Sequence, residues 1–443
     1  MSAVAVTVFA AMVVVYVSVS ALLDRHAFSA PMFFALGGAG LGLIRHVPTN
    51  EPGLKTLTEA TLAMILFHDA AMVKPGQLRR DSGISARLLL LGLPLTIVAG
   101  VATAHLLMPA ATIWAALYLA SALAPTDAGL GAATVLNPVV PERVRRVLNV
   151  ESGLNDGLST PVVLLAISAV AATGASQEHH VLAALQEIVL GVGVGVLVGA
   201  SVGLLLRRAA ARDLATPSLV PLATVVVPLL AYYGAGDVGG NGFVAAFVSG
   251  TAFAAAHLGR RRTASGRVGT DDASTHGGRT PSGGTRHGGK DEERHDAATE
   301  LTESISALLG YAVWAIFGLI AMPHLREHLT WAAAAFAVLS LTVLRMGPVA
   351  LVLIGTGLRR RTVAFIGWFG PRGLASVVFT LIAVESLQVT PAVDAVLAAV
   401  ELTVLLSVVL HGATAGPWAR AYGDWASRVR PPVELELTRS ERA

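Results

Sequence analysis

Ala124-Pro125-Thr126-Asp127-Ala128-Gly129 lies in the middle of an apolar run covering about residues 110–135. A helix needs about 20 apolar residues to cross the hydrocarbon core of a bilayer. A proline and a carboxylate therefore fall near mid-membrane. Proline removes a backbone donor and clashes with the preceding turn, and the nearby glycines loosen the helix further. The expectation is an interrupted helix whose freed carbonyls and carboxylate face a cavity, the arrangement that builds ion sites in transporters. The competing reading is a proline kink with a locally capped aspartate.

The rest of the chain has the same character. Of its 443 residues 54% are hydrophobic and only 14% are charged, where a soluble domain carries about 25% charged residues. Mean hydropathy is +0.65. This is the composition of an all-α polytopic membrane protein, not of a large soluble enzyme. The absence of cysteine excludes disulfides, cysteine-zinc sites and thiol nucleophiles. The net charge of +3 does not point to a nucleic-acid partner, because the basic residues occupy short loops between apolar runs.

Thirteen apolar segments are predicted to span the bilayer, near 3–22, 28–44, 56–73, 86–107, 110–135, 152–173, 182–206, 217–233, 240–257, 300–321, 330–356, 361–384 and 391–415. The first has no preceding basic residue and no clear cleavage site, so it reads as a membrane helix and not a signal peptide. With the N-terminus outside, the inner loops and tail hold 27 of the 32 Lys and Arg residues, and the outer loops only Arg45, Lys55 and Arg326. That asymmetry predicts a multi-pass protein of the plasma (inner) membrane, N-terminus outside and C-terminus cytoplasmic. Residues 258–298, rich in Gly, Ser, Thr, Arg, His and Asp, read as a disordered cytoplasmic linker, and 416–443 as a short cytoplasmic tail. Gly191, Gly195, Gly199 and Gly203 share one face of the seventh segment. Such a stripe suits close helix packing first and a dimer contact second.

Charge inside the membrane is costly and therefore informative. The sixth segment opens Glu151-Ser152-Gly153-Leu154-Asn155-Asp156, which puts carboxylate, hydroxyl and amide oxygens on adjoining parts of one face. Such donors, without His or Cys, suit a hard monovalent cation. A plain N-cap at Ser152 with first-turn acids accounts for Glu151 and Ser152, but poorly for Asp156. Arg345 lies within the eleventh segment. Arg372, in Gly370-Pro371-Arg372-Gly373, marks a second predicted break within the twelfth. The two breaks occupy corresponding places if segments 1–6 and 8–13 form inverted repeats about the seventh. Asp69, near the inner end of the third segment, reads equally as an interfacial anchor or an entry-funnel residue. His411 reads as packed and hydrogen-bonded, Glu385 and Asp394 as outer-loop residues, and Glu401 stays unassigned.

Pro125-Thr126-Asp127, Pro141-Glu142-Arg143 and Glu151-Ser152-Gly153-Leu154-Asn155-Asp156-Gly157, with the Arg345 and Gly-Pro-Arg-Gly segments, resemble the NhaP/NHE-like monovalent cation:proton antiporters over about residues 1–415. The resemblance implies an NhaA-type fold with two broken, crossing helices, and a homodimer in the lipid bilayer. Interface helices would cover about 1–73 and 182–321, and core helices about 86–173 and 330–415. It implies that Asp156 carries ion and proton, that Asn155 partners it, and that Thr126 and Ser152 supply further Na⁺ contacts with Glu151 beside them. Asp127 and Arg372 would stabilise the crossing and Arg345 would balance charge. Asp69 matches an acid that is usually Glu in the family. Glu300 and Glu303 lie too near the start of the tenth segment to match the acid many members carry there.

One titrating carboxylate beside Asn155 predicts electroneutral exchange of one H⁺ for one Na⁺ or Li⁺ by alternating access, with no cofactor. K⁺/H⁺ exchange on the same fold stays open, as does, more distantly, a cation channel or a non-transporting sensor. Gly234-Ala235-Gly236-Asp237 weakly suggests an intramembrane aspartyl protease, but a glycine-rich turn is the simpler reading.

Overall fold

The computed structural model describes residues 3–26, 28–44, 52–72, 82–127, 130, 137–172, 177–216, 219–258, 288–388 and 390–435. Their regular elements are all helical: α1 (Ala3–Arg25), α2 (Ala30–Ile44), α3 (Pro52–Met72), α4 (Ser82–Arg87), α5 (Leu93–Leu107), α6 (Ile113–Ala122), α7 (Glu142–Ala171), α8 (Gln177–Ala210), α9 (Val220–Asp237), α10 (Gly242–Leu258), α11 (Gly288–His328), α12 (Trp331–Leu341), α13 (Val343–Val352), α14 (Arg360–Trp368), α15 (Leu374–Ser386) and α16 (Pro391–Val429). A π-helical turn, Leu88–Gly92, joins α4 to α5. Pro94 follows it and cannot donate to the preceding turn. Among the described residues eight helical stretches are long and apolar enough to cross a membrane, and four shorter helices are apolar.

Several helices run past their apolar cores. The sixth predicted segment begins at Glu142, not 152, so Glu151 and Ser152 sit well inside α7 and the N-cap reading fails. Hydropathy marks where a helix enters an apolar layer. It misses a charged first turn such as Glu142-Arg143-Val144-Arg145-Arg146, where Arg146 pairs with Glu142 at 2.8 Å. The predicted linker is corrected in part. Residues 259–287 lie outside the described residues, but 288–298 are helical and continuous with α11. Their Lys, Glu, Arg and Ala residues are good helix formers. The eleventh segment is two helices, interrupted at Thr342, six residues before Pro348.

The tail also departs from expectation. Helix α16 continues to Val429, and Arg430, in a left-handed conformation, turns the chain back. Glu434 is then buried, its Oε1 accepting from the Arg359 N–H (2.8 Å) and the Thr362 hydroxyl (2.7 Å), so it caps α14. Arg143 Nη1 donates to the Val433 carbonyl at 2.7 Å. The apolar floor here is Val140, Val144, Leu148, Phe365, Phe369 and Tyr422. Residues 436–443 lie outside the described residues.

The chain divides into two compact units. One comprises Met1–Leu62, Val73–Gln186 and Leu309–Ala443, the other Ala63–Met72 and Glu187–Leu308. In the second unit the glycine stripe of α8 lies against the backbone of α10. A Cβ at Gly191 would stand 2.5 Å from the Asn241 carbonyl oxygen, and one at Gly195 2.6 Å from that of Ala245. Packing within the chain therefore accounts for the stripe.

Candidate functional site

The first interruption falls where Pro125 predicts it. Helix α6 ends at Ala122, and the chain is non-helical through Asp127. Four carbonyls there find donors on other elements, as burial in an apolar layer favours. Ala122 O accepts from Ser376 Oγ at 2.7 Å, Ala124 O and Pro125 O from Arg372 Nη1 at 3.1 and 3.3 Å, and Thr126 O from Ser152 Oγ at 2.6 Å.

The second interruption spans Phe369–Gly373, between α14 and α15. Here α16 is the anchor. His411 Nε2 donates to the Trp368 carbonyl at 2.9 Å, which leaves Nδ1 to accept from Ser407 Oγ at 3.1 Å. Ser407 Oγ in turn accepts the Arg372 N–H at 2.7 Å. Packed and hydrogen-bonded, His411 holds the role the sequence suggested.

The interruptions cap each other. Asp127 Oδ2 accepts the Leu374 N–H at 3.1 Å, which puts a carboxylate at the N-terminus of α15, and the Asp127 N–H donates to the Pro371 carbonyl at 2.9 Å. Arg372 puts its guanidinium on the carbonyls beyond the C-terminus of α6, and its Nη2 donates to Ser340 O near the end of α12 at 3.1 Å. Each charge thus meets the helix-dipole end that favours it. Gly373 is needed because a Cβ there would overlap the Asp127 carboxylate.

Helix α7 passes beside the first interruption. Asn155 Nδ2 donates to Thr126 Oγ1 at 2.8 Å, while Asn155 Oδ1 is buried without a hydrogen-bond partner. Asp156 follows it, buried, one turn beyond Ser152. The hydroxyls of Ser159 and Thr160 are committed to the Asp156 backbone carbonyl. Glu151 Oε1 accepts from Arg345 Nη1 at 2.6 Å, with both side chains buried. The structure therefore brings Thr126, Asp127, Glu151, Ser152, Asn155, Asp156, Arg345 and Arg372 into one compact unit. Asp69 is half-buried near the end of α3 and belongs to the other unit.

Some expectations need correction. Asp394 is not a loop residue: it is buried in the first turn of α16, after the N-cap Thr390. Glu401 is fully buried and accepts from His324 Nδ1 at 2.8 Å. Asp237 is the exposed last residue of α9, with the turn following it at Gly239. Ser340, Ser376, Ser407 and Glu434 escaped the sequence reading, because a hydrogen bond to a residue distant in the chain leaves no local pattern.

Two interrupted helices, crossing and capped by each other's charge beside a buried Asn-Asp pair, define a polytopic membrane protein with a transporter-type core. A model of the family described as sodium/hydrogen exchanger, transmembrane, matches residues 8–270 and 284–421. The chain belongs to that family. It is 30% identical over 199 residues to a sodium, potassium, lithium and rubidium/H(+) antiporter of Bacillus subtilis (strain 168). The match covers 43% of this chain and 28% of that protein, so it spans under a third of the relative's length. In fold it is similar to the sodium proton antiporter MjNhaP1 from Methanocaldococcus jannaschii at pH 8, with a TM-score of 0.72 and 16% identity over 95% of this chain and 99% of that one. An electron-microscopy structure of the same antiporter gives 0.69 and 16%, over 95% and 98%.

Proposed function

We propose that this chain is a secondary transporter exchanging Na⁺ or Li⁺ for H⁺, one for one, by alternating access, with ion and proton competing for the Asp156 carboxylate. The observation that carries the reading is the buried, unpartnered Asn155 Oδ1 next to Asp156. A buried oxygen left without a donor is costly unless something positive reaches it. Ser152 Oγ donates to Thr126 O at 2.6 Å, which brings a hydroxyl and a carbonyl oxygen together beside that amide. Together with the Asp156 carboxylate they form a donor set for a hard monovalent cation.

The Glu151–Arg345 pair is internally neutral, and Arg372 is taken up by carbonyl dipoles. Asp127 caps α15, and Asp156 is the carboxylate that adjoins Asn155. Filling it with either H⁺ or Na⁺ neutralises it, which lowers the cost of carrying the core across an apolar barrier. An exchange of one for one moves no net charge. The same reading includes thirteen spans with the N-terminus outside, inverted repeats, a homodimer and a plasma-membrane location. It also keeps the division into interface and core helices.

K⁺/H⁺ exchange is the second reading, favoured by the name of the Bacillus relative, which includes potassium and rubidium. Both are tested in proteoliposomes, with proton movement followed on addition of Na⁺, Li⁺ or K⁺ separately and with the membrane potential clamped. Cation-driven proton flux that ignores the potential and vanishes in Asp156→Asn is the expected result. Flux that follows the potential overturns the stoichiometry. Flux untouched by Asp156→Asn overturns the site and promotes a channel. Competition further requires the KM for the cation to rise about tenfold per pH unit on the acid side of the profile.

A further inference from the structure

At the end of α11, away from the Asn155–Asp156 pair in sequence and in composition, His324 and His328 stand one turn apart, with ring centroids 4.6 Å from each other. Asp394, in the first turn of α16, faces both. Its Oδ1 is 3.7 Å from His324 Nε2 and its Oδ2 3.7 Å from His328 Nδ1. The geometry points to a binding site for a divalent transition-metal ion of the Zn²⁺ type, formed by His324 Nε2, His328 Nδ1 and the Asp394 carboxylate.

Four observations carry this. First, 3.7 Å is too long for a hydrogen bond. Direct bonding does not explain why these ligand atoms gather within 4.8 Å of one another. Two ligands each bound to a tetrahedral zinc lie about 3.3–3.4 Å apart, so only a small adjustment closes the site. Second, Glu401 engages the other ring nitrogen. Its Oε2 lies 2.8 Å from His324 Nδ1. Nε2 is left facing Asp394, buried and without a hydrogen-bond partner. A carboxylate behind a ligating imidazole is the usual outer support of a zinc histidine.

Third, two histidines spaced i, i+4 on one helix face form a bidentate platform of the kind helical zinc sites use. With one carboxylate they make an N₂O set that favours Zn²⁺ over Mg²⁺ or Ca²⁺. Fourth, there is an entry path. The His328 side chain is 36% exposed, whereas those of His324 and Asp394 are 19% and 9% exposed. An ion arriving from solvent meets His328 first. Three protein ligands leave a fourth position for water on that side. The bound ion would tie the end of α11 to the start of α16, the helix whose Ser407 and His411 hold the second interruption.

The test uses the full chain, purified in detergent, freed of metal with a chelator and titrated with ZnCl₂ by calorimetry and with Co²⁺ by visible absorption. One Zn²⁺ per chain is expected, with Co²⁺ bands typical of low coordination number. Affinity should fall by about tenfold or more in His328→Ala and in Asp394→Asn, and by about 10–100-fold in Glu401→Gln. The histidines of the polar stretch give a control: replacing His276, His287 and His295 by Asn leaves the stoichiometric site in place. Failure of the wild-type chain to take up Zn²⁺, or undiminished uptake by His328→Ala, overturns the assignment. His328 is half-exposed at a helix end, so its variant folds and carries the test even if Asp394→Asn or Glu401→Gln does not. Binding is read without transport, so a failure here leaves the antiport reading untouched.

Discussion

At the interruption around Pro125 the freed carbonyls are met from three directions: Ser376 on α15, Arg372 ahead of it and Ser152 on α7. At the interruption around Pro371 one helix, α16, does the holding through Ser407 and His411. Both use a proline next to a charged residue, and the charges are opposite. Because they are opposite, Asp127 can serve the N-terminus of α15 while Arg372 serves the carbonyls beyond α6. The first interruption is hydrogen-bonded to Asn155, next to Asp156, through Thr126. On the proposed reading the same backbone device divides into a side that offers oxygens to an ion and a side that is fastened to a scaffold. The comparison predicts that changes beside Pro125 alter ion handling, and that changes beside Pro371 alter stability.

The largest effect on transport is expected at Asp156. Asp156→Asn keeps the shape and removes the shared carboxylate, so cation-driven proton flux in proteoliposomes should fall at least about a hundredfold, equivalent to about 2.7 kcal/mol. The protein should still purify as a folded species. Next comes the buried pair. Arg345→Met leaves Glu151 uncompensated and should cost about 3–5 kcal/mol, read from thermal melting in detergent. Glu151→Gln combined with Arg345→Met should recover much of that loss. Additive losses in the double variant would show that the two side chains do not act as a unit.

The interruptions were legible in the sequence because proline, glycine and intramembrane charge act locally, whatever the rest of the fold does. Pro125, Asp127, Pro371 and Arg372 could be named from spacing alone, and so could the shared face of Ser152, Asn155 and Asp156. The pairings across the crossing were not legible. The Leu374 N–H held by Asp127, and the Ser340 carbonyl held by Arg372, join residues far apart in the chain through backbone atoms that every residue has. Helix ends were misplaced for a different reason. Charged turns such as Glu142–Arg146 and the stretch to Val429 are helical yet not apolar, so a hydropathy reading stops short of them. Asp394 was read as a loop residue although the predicted segment starts at 391, because a carboxylate so near a helix start suits a loop as well as a first turn.

A smaller effect tests the contact at the crossing itself. Gly373 has an extended backbone with φ of −113°. A side chain is therefore tolerated conformationally and excluded only by the Asp127 carboxylate. Gly373→Ala should cost as much as about 3 kcal/mol through overpacking. Asp127→Asn, which keeps the bond to Leu374 N–H but not the charge, should cost only about 0.3–1 kcal/mol. If Gly373→Ala melts like the wild type, the crossing is looser than these contacts describe.

A pair of serine changes discriminates best between the two sides. Ser407 and Ser152 are both buried serines whose hydroxyls serve an interrupted helix, one at each break. Ser407→Ala removes the acceptor of the Arg372 N–H and the donor to His411. It should lower stability by about 1–2 kcal/mol while leaving the KM for the cation within about twofold, because no ion ligand is lost. Ser152→Ala removes a comparable hydrogen bond to the Thr126 carbonyl, so its melting point should fall by a similar amount. It also takes away one of the oxygens offered to the ion, so its KM should rise by about tenfold, as expected for a lost interaction worth about 1.4 kcal/mol. Measuring melting and KM on the same two preparations separates the roles. Equal KM values would mean that the side beside Pro125 is scaffold as well, and that the ion is held without Ser152.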